Sequence, residues 1–204
     1  NKNLLNYPEP RYGQPILNLA VINRDLISVQ ALLKLGANPN KQDYNGNSAL
    51  MQSLSIGIER YVDENAQPDK KFLRLLLKYG GDPNSKQNPK KINHNAKFTA
   101  LELACRWGEI DYVKMLVAAG AQINSTKYKD SDPLLTAVAS GRPDIVMFLL
   151  ENGADYKRVM LIDSDGENQY FSDIIVTMWN FSEDSWQYKE MIKVKHWLKM
   201  HATK

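Results

Sequence analysis

Apolar residues recur three and four positions apart in four separate stretches of the chain. Val29, Leu32 and Leu33 form one stripe, and Leu73, Leu76 and Leu77 the next; Val113, Leu116 and Val117 follow, then Val146, Leu149 and Leu150. That spacing gathers the apolar side chains on one side of a helix, so each stretch is predicted to be a helix buried along one face. A glycine stands just past each stripe, at Gly36, Gly80, Gly120 and Gly153, where a left-handed residue stops a helix without the penalty a β-carbon incurs. The strings around these glycines are alike: LLKLGANPN at 32–40, LLKYGGDPN at 76–84, LVAAGAQIN at 116–124 and LLENGADYK at 149–157. A second string precedes each of them, GQPILNLAV from Gly13, GNSALMQSL from Gly46, KFTALELAC from Lys97 and DSDPLLTAV from Asp130. Small residues, Ala20, Ser53, Ala104 and Ala137, share one position in that second string and let neighbouring helices approach closely. A lone helix pair of this kind cannot bury its own apolar face, so stacking of pairs must supply the core.

The glycine markers are separated by 44, 40 and 33 residues, so with 33 as the unit the first two intervals hold 11 and 7 extra residues. The larger insertion falls between Gly57 and Gly80, in SIGIERYVDENAQPDKK, and lengthens the link between two paired helices. The smaller lies in SKQNPKKINHNAK, ahead of the third pair. Two half-motifs recurring in phase resemble the ankyrin family, whose 33-residue unit carries GxTPLHLAA, a second helix and LLxxGADVN. The match covers about residues 11 to 157. No copy keeps TPLH intact: its histidine slot holds Asn18, Met51, Glu102 and Leu135, and its proline slot Ile16, Ala49, Ala100 and Pro133. Internal hydrogen bonding is therefore expected to be weaker than in a consensus array.

The resemblance implies an all-α solenoid of about four to five helix-turn-helix repeats with β-turn fingers, in a single domain over 1–204. The repeats are expected at about 11–42, 43–86 with an insertion, 87–126 with an enlarged finger, and 127–159, before a divergent C-terminal cap at 160–204. In that cap DSDGENQYFSDIIVTMW and SWQYKEMIKVKHWLKM are read as two further helices, divergent because one face of a terminal repeat meets water. The enlarged finger is made basic by Lys86, Lys90, Lys91 and Lys97.

Composition changes this picture little. Hydrophobic residues make up 43% of the chain, enough for a continuous core, and 26 basic against 23 acidic residues leave only +3, too little by itself to imply nucleic acid or an anionic membrane. The single cysteine, Cys105, can form no internal disulfide; it fills a slot usually held by alanine and is expected to be buried. No run approaches the roughly 20 apolar residues that cross a bilayer, and NKNLLNYPEP at the start lacks a signal peptide's apolar centre. A cytoplasmic setting is expected. Richness in Asn and Lys with irregular repeats also looks similar to ankyrin effectors of intracellular bacteria, for which the setting would be host cytoplasm. The chain begins at Asn1 rather than Met, which leaves room for segments outside it.

Candidate chemistry is sparse. His94, His196 and His201 are too scattered for a metal signature. DSDGEN at 163–168 lacks the regular third ligand and closing glutamate of a calcium loop and is read as a β-turn. Neither a phosphate loop nor a dinucleotide fingerprint is present, so catalytic residues, cofactors and metals are not expected.

The resemblance implies instead a partner protein bound in a concave groove of finger tips and first-helix faces. Carried over position by position, that surface comprises Arg11, Tyr12, Gln14, Ile22 and Asn23 in the first repeat and Tyr44, Asn45, Asn47 and Ser55 in the second. The third supplies Asn95, Phe98, Arg106 and Trp107, and the fourth Tyr128, Lys129, Ser131, Ala139 and Ser140. Tyr12, Tyr44, Asn45, Asn47, Phe98, Arg106, Trp107, Tyr128 and Lys129 are the candidate contacts, with Trp107 and Arg106 at the centre, because aromatic residues and arginine most often anchor interfaces. The competing reading packs Trp107 under the enlarged finger. A monomeric adaptor is the leading function; the alternatives are the targeting domain of a larger enzyme and a nucleic-acid-binding solenoid using the finger and terminal lysines. The last segment, with Met191, Ile192, Trp197 and Leu198 among Lys189, Lys193, Lys195 and Lys199, is either a capping helix or a basic amphipathic helix for a membrane or a calmodulin-like partner. Asn84 and Asn124, with Leu76 and Leu116 eight residues earlier, resemble ankyrin asparagines that a host oxygenase hydroxylates, although most such asparagines bridge finger turns.

Overall fold

All four apolar stripes are helices in the computed structural model, which describes residues 4–7, 13–55, 69–88, 98–124 and 132–201. They are α2 (Leu26–Lys34), α4 (Lys70–Lys78), α6 (Ile110–Ala118) and α8 (Pro143–Glu151), and each follows a shorter helix: α1 (Ile16–Ile22), α3 (Ala49–Ser55), α5 (Ala100–Trp107) and α7 (Pro133–Ala139). Local chemistry starts the first helices. Ser48 accepts a hydrogen bond from the Met51 N–H, Asp132 one from the Leu135 N–H, and Thr99 one from the Glu102 N–H, which Glu102 returns by accepting from the Thr99 N–H at 2.6 Å. Glycine ends the second helices. At Gly36 the glycine N–H bonds the Leu33 carbonyl and the next N–H, of Ala37, reaches back to Leu32; the same two bonds recur at Gly80, Gly120 and Gly153. These glycines have φ between 84° and 94°, and an added β-carbon would meet nothing within 4 Å, so backbone conformation rather than crowding selects the residue.

Residues 1–121 form one unit. Its first helices pack side by side, α1 on α3 and α3 on α5, and α1, α2 and α4 share a core of Leu17, Val21, Val29, Leu33, Phe72 and Leu76. The small positions Ala20, Ser53 and Ala104 are buried, as is Cys105 in its alanine slot. Asparagines strap successive turns together. Asn40 donates to the Gly80 carbonyl and accepts from the Asp82 N–H, and Asn84 donates to the Gly120 carbonyl, so both act as bridges. Within the segment of the larger insertion, residues 56–68 lie outside the described ones.

Tyr112 of α6 is buried, and its hydroxyl lies 3.4 Å from the Asp69 carbonyl. Burial, with the Glu109 and Asp69 charges adding, pushes its pKa up from 10.0 to about 12. The unfolded chain therefore loses this proton first, and the stability is fully present below pH 10 and lost as pH rises towards about 12. Tyr112→Phe removes the ionisation, and we expect the variant to keep on the order of 2 kcal/mol that the parent loses over that window. Urea titrations at neutral and strongly alkaline pH measure it; parallel losses in both proteins would remove Tyr112 as the cause.

Residues 122–204 form the second unit, in which α7 and α8 are followed by β1 (Val159–Ile162), β2 (Asn168–Tyr170), α9 (Phe171–Met178) and α10 (Trp186–His201). Within this unit α9 packs on α7 and α10 on α8. In the first part of the cap DSDGEN forms the turn expected of it, but the residues flanking it depart from expectation by pairing as a hairpin, with Val159 opposite Tyr170 and Ile162 opposite Asn168, so that the helix starts only at Phe171. The apolar run VMLI suits a strand, and Asp163 closes the turn by accepting from the N–H groups of Asp165 and Glu167 and from the Gln169 amide. Those bonds, the Glu167 N–H first, hold its carboxyl below the usual 3.8. Trp179 is buried and donates its indole N–H to the Val138 carbonyl at 3.0 Å. Asn124 repeats the asparagine bridge, donating to the Gly153 carbonyl and accepting from the Asp155 N–H.

Candidate partner-binding site

The second finger is built on Asp43. Its carboxylate, 1% exposed, accepts from the N–H groups of Asn45 and Asn47 through one oxygen and from the Gln14 and Gln52 amides through the other. The Asp43 N–H bonds the Asn47 carbonyl, and the Gly46 N–H the Asp43 carbonyl. This five-residue turn has the same bonding as the Asp163 turn of the C-terminal hairpin, which makes that hairpin a lengthened finger. The Tyr44 ring lies against Gly13, where φ is 64° and a β-carbon would fall 2.1 Å from the ring, so only glycine admits the tyrosine. Asn45 is exposed at the tip.

Hydrogen bonds fasten this finger to its neighbours. Asn18, in the slot that TPLH gives to histidine, is buried and donates to the Asn47 carbonyl at 2.9 Å, so the substitution keeps a bond between repeats. Gln42 donates to the Lys86 carbonyl, and Gln87 donates to the Asn47 side chain at 2.6 Å while accepting from the Phe98 N–H. The third finger closes antiparallel at its base, where Lys86 faces Thr99 and the Gln87 N–H bonds the Phe98 carbonyl. Phe98 is thereby fixed, and the Arg106 guanidinium sits 5.2 Å from its ring centre, an attractive cation–π arrangement. Trp107, next along α5, keeps 38% of its surface exposed.

Six of the nine candidate contacts thus fall on described residues. Phe98 and Arg106 meet directly; Tyr44 and Asn45 stand on the Asp43 turn; Asn47 is engaged in holding fingers together; Trp107 ends α5. Tyr12, Tyr128 and Lys129 lie outside the described residues, as do Arg11, Asn95 and Ser131. Gln14 serves the Asp43 turn. Sequence reasoning missed Asp43 and Gln87. The string Asp43-Tyr44-Asn45-Gly46-Asn47 carried a signal for the first, since aspartate two residues before Asn-Gly favours a side-chain-closed turn; nothing local marked Gln87.

Two family models match the chain, one describing ankyrin repeats in three copies over residues 64–160 and one describing a single ankyrin repeat over 12–44. The chain belongs to the ankyrin-repeat family. Among relatives, the chicken nuclear factor NF-kappa-B p105 subunit is 26% identical over 165 residues, which is 81% of this chain and 14% of that protein. An L-asparaginase of Dirofilaria immitis is 29% identical over 161 residues, 69% of this chain and 26% of the enzyme. The putative ankyrin repeat protein YahD of Escherichia coli is 29% identical over 152 residues, covering 71% of this chain and 66% of its own length. The ankyrin chain thus spans about a seventh and a quarter of the first two relatives. Ankyrin repeats generally mediate protein–protein interaction rather than catalysis. Among the described residues no three His, Cys, Asp or Glu side chains gather as a metal set, and no helix is long and apolar enough to cross a membrane.

Proposed function

We propose that this ankyrin domain is an adaptor that binds a partner protein through Tyr44, Asn45, Phe98, Arg106 and Trp107. The observation that carries the reading is the Arg106–Phe98 pair at 5.2 Å beside a Trp107 that is 38% exposed, on a finger base tied down through Gln87. Rigid aromatic and arginine groups lose little freedom on binding, which is why such groups dominate interface energy. Tyr12, Tyr128 and Lys129 extend the contact on the family pattern, and 1–204 acts as a single monomeric domain. The setting is cytoplasmic, that of a host if the protein is a secreted effector.

A pull-down from cytosol compares the parent with a Trp107→Ala, Arg106→Ala variant, both first checked by circular dichroism. We expect at least one protein to be lost from the variant, with affinity reduced on the order of 30-fold, as for loss of about 2 kcal/mol at an interface centre. Equal recovery of every partner would remove these residues from the interface. A second reading, the targeting module of a larger enzyme, is favoured by the asparaginase relative, which matches 69% of this chain but along only 26% of its own length. An immunoblot of the endogenous protein tests it: a product much larger than 23.3 kDa supports that reading, and one of that mass ends it.

A further inference from the structure

We propose that the groove between α8 and α10 is a second docking site, which takes an acidic amphipathic helix of a partner protein. The groove has a volume of about 530 Å³, and its apolar surface comes from Met147, Ile192, Trp197 and Met200, with Lys193, His196 and His201 also lining it. Ile192 and Met200, two turns apart on one helix, are 46% and 61% exposed, a large apolar allowance for that helix. Trp197 is held in place: Tyr156 meets it edge-on at 5.3 Å, His201 stacks on it at 3.9 Å, and the Tyr156 hydroxyl bonds the His201 carbonyl at 3.1 Å. The wall of the groove is therefore formed in advance, while the two methionines can adapt to what enters.

Charge chooses the occupant. α10 carries Lys189, Lys193, Lys195 and Lys199 against Glu190 alone, four minus one, so its +3 equals the excess of the whole chain, 26 minus 23, and the remaining residues balance. Glu190 is bound to Lys193 at 2.6 Å, and on α8 Asp144 is taken by Arg142 at 2.6 Å, with Glu151 at the helix end. The local field therefore favours a negatively charged partner. Shape argues for a helix over a bilayer. Of the apolar residues read as a membrane or calmodulin-like stripe, Met191 is buried, Trp197 is held by Tyr156 and His201, and Leu198 is half-buried, so Ile192 alone of that set stays exposed; with Met200 it lines the groove, where side chains projecting from a partner helix can enter. This site lies in residues 122–204 and rests on none of the residues assigned to the adaptor surface.

Selection from a displayed random-peptide library against the full chain, with counter-selection on an Ile192→Glu, Met200→Glu variant, tests the proposal. Both positions are exposed, and a Lys189→Glu, Lys195→Glu, Lys199→Glu variant provides an independent check should the first fail to fold. We expect enriched peptides with Leu, Met or Phe at helical spacing and flanking Glu or Asp, bound at least about tenfold more weakly by either folded variant, more weakly in high salt, and equally by the Trp107→Ala, Arg106→Ala variant. Enrichment of nothing that the variants lose, or of peptides without acidic residues, would overturn it. So would binding to phosphatidylserine vesicles that the variants abolish while no peptide is selected.

Discussion

Trp179→Ala is expected to destabilise residues 122–204 by about 4 kcal/mol, the ordinary cost of emptying a buried tryptophan site. The indole is 6% exposed, lies 5.6 Å from the Phe181 ring, and donates to the Val138 carbonyl at the end of α7, which also accepts from the Gly141 N–H. Alanine removes the packing and the indole's hydrogen bond, while the Gly141 N–H still reaches that carbonyl. Because each element of a repeat array is supported by its neighbours, the loss should fall first on α9 and α10. Amide exchange in α10 should accelerate far more than in α3 to α6, and urea unfolding should begin earlier. Trp179→Phe keeps most of the buried area and loses the hydrogen bond, so about 1 to 2 kcal/mol is expected from it. A uniform acceleration across all helices, or a near-neutral alanine, would show that Trp179 does not fasten the cap.

Asp43→Ala should cost about 3 kcal/mol, because it strands four partly buried donors at once. Two N–H groups of its own turn and the Gln14 and Gln52 amides all point at this carboxylate. Asp43→Asn is expected to be much milder, below about 1 kcal/mol, since one oxygen still accepts the two N–H groups and either glutamine can turn its amide to present oxygen. Chemical denaturation ranks the two variants, and the Gly46 amide resonance reports the turn. An alanine variant as stable as the asparagine one would mean that the turn forms without the carboxylate. If the turn loosens, partner affinity should fall with it, because Tyr44 and Asn45 are carried on it.

Legibility followed the distance over which each feature is decided. The four stripes, the glycine stops and the small positions each depend on residues within one turn of helix, and repetition four times over made each local signal reinforce the others. Cys105 could be assigned to the core by its slot alone, and it is buried. The cap is less legible: DSDG signals the turn that Asp163 and Gly166 make, but the pairing of the strands on either side of it depends on residues brought together only by the fold. The candidate site was legible as a set of repeat positions. Which of them are engaged elsewhere was not: Asn47 holds Gln87, and Gln14 holds Asp43, across 40 and 29 residues of chain.

Residue order alone determined the repeat, its helices, their stops and the family, because backbone preference and helical spacing are properties of neighbours in the chain. Tertiary structure decided the rest: that Asp43 gathers four donors, that Arg106 lies over Phe98 while Trp107 stays partly exposed, that the Trp179 indole finds the Val138 carbonyl 41 residues away, and that α10 leaves a groove against α8. Each of these joins groups distant in the chain, and burial, which sets their energies, exists only once the repeats have stacked.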